Sequence, residues 1–139
     1  MFDKLNPITT AILRIGAGLL FMEHGAQKLL GWFGGLPPGM VVKPMTQIWF
    51  AGVLELCGGA LMVLGLGTRA VAFLLAGEML VAYFQVHMPQ GGAPIKNLGE
   101  LALLYMVVWL FFLGNGAGEF SLDAIIGRRR RPPRPVAAV

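Results

Sequence analysis

Charge is scarce in this chain. Asp, Glu, Lys and Arg make up 13% of its 139 residues, about half the roughly 25% of an ordinary soluble domain. With 56% of residues hydrophobic, the composition argues against a water-soluble globular domain and indicates the membrane class. Cysteine is almost missing: Cys57 alone excludes an intramolecular disulfide and any two-thiol relay within the chain. Its neighbours Leu56, Gly58 and Gly59 predict a small buried thiol. Motifs that announce soluble chemistry are missing too. The sequence contains no phosphate-binding loop, nucleophile elbow, dinucleotide fingerprint, flavin motif or haem-attachment motif. The glycines of Gly114-Asn115-Gly116-Ala117-Gly118 follow a helix rather than a strand and read as its stop. No Glu-x-x-His pair falls within a helix, so the di-iron bundle pattern is not met and no metal is expected. The segment Met1-Phe2-Asp3-Lys4-Leu5-Asn6-Pro7 lacks the basic n-region and cleavage site of a signal peptide, so the first apolar segment is expected to be retained.

What the chain has is long apolar runs. A spanning helix needs about 20 mostly apolar residues, and such windows fall near residues 8–30, 45–66, 69–88 and 98–117. The expected fold is all-α, a single four-helix transmembrane bundle over residues 1–127, followed by a basic, Pro-containing tail over 128–139. Little chain remains for a soluble catalytic domain. The tail concentrates Arg128, Arg129, Arg130, Arg131 and Arg134. By the positive-inside rule it is cytoplasmic, and an even number of spans puts the N-terminus there as well. Arg69 after the tight Gly65–Thr68 turn agrees, whereas the loops at 31–44 and 88–97 hold only Lys43 and Lys96. Lipid headgroups are the simplest partner for this tail. A nucleic-acid partner is not expected, because the segment is short and has no aromatic interleaving.

Each apolar segment carries one glutamate: Glu23, Glu55, Glu78 and Glu100. An ionisable side chain at bilayer depth costs about 2.5–3.5 kcal/mol on insertion scales, so such groups face a partner, a bundle interior or a water-filled cavity. The face around Glu55 carries Ala51, Gly52, Gly58 and Gly59, small residues that permit close helix approach, so Glu55 is expected to point at a neighbouring helix. Around Glu78 the face carries Leu74, Leu75, Ala82 and Gln85. On the first helix Arg14, Gly18, Phe21, Gly25 and Lys28 share a stripe with His24 beside it. Glu23 lies nearly opposite Arg14 and reaches either the interior, through a bent helix, or the outer interface. With the termini inside, His24, Lys28, Gln85, His87 and Glu100 cluster in the outer half, Glu55 and Glu78 lie near mid-membrane, and Arg14 sits nearer the cytoplasm.

Four carboxylates against Arg14 and Lys28 predict that some carry or share protons. Glu55, Glu78 and Glu100 are the proton-handling candidates. Arg14, His24, Lys28, Gln85 and His87 are the ligand-binding candidates. The alternative is an ion-pair network that only fixes helix packing. The loop Gly31-Trp32-Phe33-Gly34-Gly35-Leu36-Pro37-Pro38-Gly39 reads as an interfacial aromatic belt together with Trp49. A sharper reading makes it a lid over a polar cavity that admits a flat aromatic or isoprenoid ligand from lipid, with residues 87–94 as the other rim.

The pieces Leu13-Arg14, Glu23-His24-Gly25-Ala26-Gln27-Lys28-Leu29, Leu54-Glu55-Leu56-Cys57-Gly58-Gly59, Gly67-Thr68-Arg69, Gly77-Glu78-Met79-Leu80-Val81-Ala82-Tyr83-Phe84, His87 and Gly99-Glu100-Leu101-Ala102, with Gly116-Ala117-Gly118 before Ser121-Leu122-Asp123, run in order from Leu13 to Ala124. They resemble the DoxX family of small bacterial membrane proteins. Ala117 stands where a proline is frequent in that family. The resemblance implies a multi-pass protein of the bacterial plasma (inner) membrane, in the neighbourhood of quinone-linked redox or sulfur and thiol metabolism. Relatives include a subunit of a thiosulfate:quinone oxidoreductase and a component of a membrane thiol-redox complex. A quinone is the implied cofactor. A redox or other membrane protein partner is expected to supply electrons, because this chain has no group of its own for that, so it is not expected to act as an enzyme alone. A homo-oligomer is a further option. The reading from a different class is a non-enzymatic accessory or scaffold subunit; a transporter ranks lowest, since no broken helix is evident in the sequence.

Overall fold

The computed structural model describes residues 5–129, so the tail from 130 onward lies outside the described residues. Among the described residues there is no strand. Helix α1 runs Asn6–Leu30, starting with Pro7, whose fixed φ suits a first turn. It ends at Gly31, whose φ of 68° terminates the helix as only glycine does readily. Helix α2 runs Gln47–Leu64 and α3 runs Thr68–Gln90. Helix α4 runs Glu100–Asn115 and a short α5 runs Leu122–Arg129. All four expected apolar windows are helical. Two of them, α2 and α3, are long and apolar enough to cross a bilayer, with mean hydropathy 1.7 and 1.5. The other two differ from uniform spans: α1 carries Arg14, Glu23 and Lys28 in its 25 residues, and α4 has 16 residues.

Neither α2 nor α3 is broken, but each carries irregular turns. In α2 the backbone widens into a π turn over Leu54–Gly58, and in α3 into a second over Tyr83–His87 before a 3₁₀ end at Met88–Gln90. A π turn shifts every side chain after it around the axis, and such turns occur frequently at functional sites. The first contains Glu55.

Helices α1 and α2 pack along a glycine seam. A Cβ on Gly18 would meet the Gly59 carbonyl at 2.9 Å, and one on Gly59 would meet the Gly18 carbonyl at 2.7 Å. Further along, a Cβ on Gly25 would collide with the Leu56 nitrogen, and one on Gly52 would come within 2.8 Å of Leu29. Such approach raises dispersion contact between helices that lipid gives no hydrophobic reason to associate. Helix α3 packs on α4 through the buried residues Ala72, Leu75, Ala76, Met79 and Tyr83 against Ala102, Tyr105, Trp109 and Phe112. Phe21 joins the two pairs, with its ring 4.8 Å from Tyr105 and 5.2 Å from Trp109. Cys57 is exposed on α2, contrary to the expected buried thiol. Gly52, Glu55, Gly58 and Gly59 take the buried positions of that stretch, which turns Cys57 outward.

The end holding the tight Gly65–Gly67 turn is locked by Arg14, which is 1% exposed. Its guanidinium donates to four backbone carbonyls: Ala117 at 3.1 Å, Val63 at 2.6 Å, Phe120 at 2.6 Å, and Met62. These carbonyls lie at the end of α2 and in the link after α4, and that of Met62 also accepts from the Gly65 amide at 3.1 Å. Asp123 ties α5 to the same corner, accepting from the Gly67 and Thr68 amides at 2.8 and 2.9 Å. Burial pushes the Asp123 carboxyl up, but the Thr68 and Gly67 hydrogen bonds and the Arg14 charge outweigh it and hold the group below the usual carboxylate range. The opposite end carries the long loops at 31–46 and 91–99.

The seam predicts a contrast between two α1 glycines. Gly25→Ala forces backbone apart and is expected to destabilise the protein by about 1–3 kcal/mol. Gly16→Ala, with open space around its Cβ, is expected to be neutral or slightly stabilising. Unfolding midpoints in mixed detergent micelles check both.

Candidate functional site

The glycine seam sets the register of the polar groups. Lys28 lies one turn beyond Gly25, Glu55 one turn beyond Gly52, and the close approach at those glycines brings the two side chains together. Lys28 Nζ donates to both carboxylate oxygens of Glu55, at 2.7 and 2.5 Å. The Glu55 side chain is 5% exposed and that of Lys28 is 19% exposed. A pair this sheltered is stable only with good geometry, since desolvating two ions costs several kcal/mol each.

Lys28 also lines a cleft of about 490 Å³ between the end of α1, the loop that follows it and the start of α2. Leu36, Met40, Val42, Pro44 and Trp49 make its apolar walls, and Gln27 adds a second polar group. Lys28 thus pairs with a buried carboxylate and also lines an apolar cleft. Beneath it, Glu78 of α3 is within electrostatic reach of both Glu55 and Lys28. Both Glu78 carboxyl oxygens are buried without a hydrogen-bond partner. The indole nitrogen of Trp109 is likewise buried and unpartnered. His24 is half-buried beside the pair, its ring edge-on to Tyr105 at 6.0 Å.

A profile of the DoxX family matches residues 9–88, more than half of the sequence. The chain belongs to the DoxX family. It is 43% identical to an uncharacterized protein of Haemophilus influenzae over 87% of this chain and 92% of that one. It is 27% identical to CatD of Bacillus subtilis, named as a proposed oxidoreductase, over 93% of this chain and 95% of that one. A protein of Mycobacterium tuberculosis named as an uncharacterized membrane protein is also 27% identical, over 89% and 85% of the two chains. No solved structure matches. The DoxX segment holds the seam, Lys28, Glu55, Glu78 and His87, while Tyr105 and Glu100 lie beyond it.

The other expected site residues are dispersed in this DoxX protein. Arg14 is at the opposite end with its donors on backbone carbonyls. Gln85 is exposed and takes a hydrogen bond at 2.5 Å from Gln47. The buried face of α3 therefore runs through Leu75, Met79 and Tyr83 rather than through Leu74 and Gln85. Glu100 is exposed at the start of α4, and Glu23 is exposed on the outer side of α1. His87 donates from Nδ1 to the Asn97 carbonyl at 3.0 Å and does not line the cleft, and neither does the rest of the expected rim at 87–94. The expected lid segment does line it, through Gly31 and Leu36.

Three features escaped the sequence. The Lys28–Glu55 pair left a trace, since each member lies three residues after a seam glycine. Asn97, 1% exposed, organises its loop by donating to Gly91 O at 2.6 Å and accepting from the Gly99 amide at 2.8 Å; a lone Asn in a loop gives no such signal. The π turn at Glu55 has no sequence signature.

Breaking the pair from one side leaves a buried carboxylate unpaired, which costs about 3–5 kcal/mol. Lys28→Met is accordingly expected to destabilise strongly, and adding Glu55→Gln to it to recover most of the loss. A double-mutant cycle on unfolding midpoints measures this; additive losses would show that the two groups do not interact.

Proposed function

We propose that this DoxX protein is the multi-pass membrane subunit of an oxidoreductase, taking a quinone-like ring in the Lys28 cleft. In this reading α1 to α4 all span the bacterial plasma membrane. Both termini are cytoplasmic, and the long-loop end with its cleft lies in the outer half. The observation that carries the reading is the double role of Lys28, which pairs with a buried carboxylate and also lines an apolar cleft of ligand size. Sites for small organic ligands have this character, with apolar walls and few convergent polar groups. The π turn at Glu55 and the name of the Bacillus subtilis relative support the same reading.

The donor set fits a carbonyl-bearing ring. Lys28 can turn one of its three N–H groups to a carbonyl oxygen while keeping Glu55, and Trp49 offers a flat apolar wall. Reduction of a quinone to a quinol takes two electrons and two protons. Electrons come from a partner protein. In this reading Glu55 and Glu78 pass protons toward the ligand oxygen, and Glu100 is an exposed carboxylate at the same end. His24 and Tyr105 extend the polar path toward α4.

A second reading rests on Arg14, a buried cation that serves packing alone. If Lys28 and Glu55 do the same, the protein is a scaffold subunit of a larger membrane complex.

Titration of the purified protein with a short-chain benzoquinone or naphthoquinone, followed by tryptophan fluorescence, separates the two. The redox reading expects saturable quenching that Trp49→Phe diminishes, and affinity lowered about 10- to 100-fold in Lys28→Gln, the equivalent of losing one hydrogen bond to a charged group. Absence of saturable binding to the intact protein contradicts it.

A further inference from the structure

Three non-glycine residues among those described have a left-handed backbone: Phe33, Met45 and Leu98, with φ of 55°, 64° and 58°. All three are large, apolar and turned outward, at 65%, 72% and 78% exposure, and all three lie in the two loops at one end of the molecule. Ile95 in the same pair of loops is 71% exposed. Left-handed backbone costs a bulky residue about 1–3 kcal/mol and persists where the surroundings enforce it. Here all three strained positions present large apolar side chains outward, a grouping at one end that an apolar medium would accommodate.

The helix lengths say which medium. A hydrocarbon core is about 30 Å thick. At 1.5 Å per residue, α2 with 18 residues and α4 with 16 cover only about 27 and 24 Å. Both begin at this end, just after Met45 and just after Leu98, while α1 and α3 are longer, at 25 and 23 residues. The loops lead from the ends of the long helices to the starts of the short ones; α2 is just long enough to cross, whereas α4 falls about 6 Å short, so the loop before α4 above all takes up membrane depth. Backbone placed there has to satisfy its own hydrogen bonds. The 91–99 loop does so at several positions. Lys96 and Asn97 amides donate to Ala93 O at 2.8 and 3.1 Å, the Gly99 amide reaches Pro94 O at 3.1 Å, and Asn97 binds Gly91 O. The Asn97 carbonyl in turn is held by His87. In the other loop Met40 donates to Pro37 O at 3.1 Å, and the Thr46 hydroxyl to Lys43 O at 2.7 Å. Lys43 and Lys96 are exposed on these loops, placed to meet headgroup phosphates.

We propose that the two loops are embedded in the bilayer interface, with Phe33, Met45, Ile95 and Leu98 among the acyl chains, and that the Lys28 cleft therefore opens to lipid. The ligand class follows. It is a bilayer-partitioned amphiphile with an oxygen-bearing head and an apolar tail, entering sideways between the 31–46 loop and α2. This rests on the spanning arrangement proposed above.

The test uses the full chain in nanodiscs of phosphatidylcholine and phosphatidylglycerol. On a Cys57→Ser background, Leu98→Cys, Ile95→Cys and Met45→Cys each receive a nitroxide, and relaxation by oxygen is compared with relaxation by a water-soluble nickel chelate. The expected result is several-fold greater accessibility to oxygen at all three sites, as for labels in lipid. Greater accessibility to the chelate overturns the proposal by putting the loops in water, and exclusion of both reagents overturns it by putting a protein surface there. Ile95→Cys, at an unstrained position, guards against misfolding at the other two. Quinone binding by fluorescence is independent of loop depth, so the two readings fail separately.

Discussion

Close contact between α1 and α2 is the constraint on which the rest depends. Helices in lipid gain nothing from burying leucine against leucine, so association rests on packing and polar contacts. Gly18 against Gly59 and Gly25 against Gly52 and Leu56 let the two backbones touch. That contact fixes translation and rotation of one helix on the other. One turn further on, it leaves no choice about what Lys28 meets. The ion pair is a consequence of the seam, and the cleft is a consequence of α1 ending at Gly31 just past Lys28.

The two ends of the molecule are built in opposite ways. At one, a tight glycine turn, the Arg14 guanidinium and the Asp123 carboxylate satisfy helix-terminal carbonyls and amides directly. Most of the polar groups there hold elements together, although the Thr68 hydroxyl is buried without a partner. At the other, polar groups are left in excess of what packing needs: Lys28 faces a cleft as well as its partner, and the Glu78 oxygens have no partner at all. Burying unsatisfied carboxyl oxygens is costly, and proteins tolerate it mainly where chemistry or binding uses the group. This difference supports the proposal that the site lies toward the long-loop end.

Much of this was legible in the sequence. The four apolar windows fall on helices, and the stripe Arg14, Gly18, Phe21, Gly25 is the buried face of α1 because a straight helix obeys its 3.6-residue period. Glu55 faces a neighbouring helix for the reason its small companions implied. Periodicity failed where the helix is irregular or the contact is remote. Gln85 lies in a π turn and is exposed although the 3.6-residue period puts it on the Glu78 face; the buried reading of Cys57 rests on its small neighbours, and those neighbours take the buried positions instead. Arg14 was grouped with the site residues because charge alone does not reveal that its partners are carbonyls up to 106 positions away. Glu23 faces outward, as its position opposite Arg14 allowed.

The account stands or falls on Lys28 and Glu55 being in contact within the membrane. Solid-state NMR on protein reconstituted in bilayers, with ¹⁵N on lysine side chains and ¹³C on glutamate carboxyls, measures that distance, and Glu55→Gln assigns the signal. A dipolar coupling between Lys28 Nζ and the Glu55 carboxyl corresponding to ion-pair contact, within about 4 Å, is the predicted result. A coupling too weak for contact, with the lysine nitrogen paired elsewhere, would contradict the seam, the site and the function built on them.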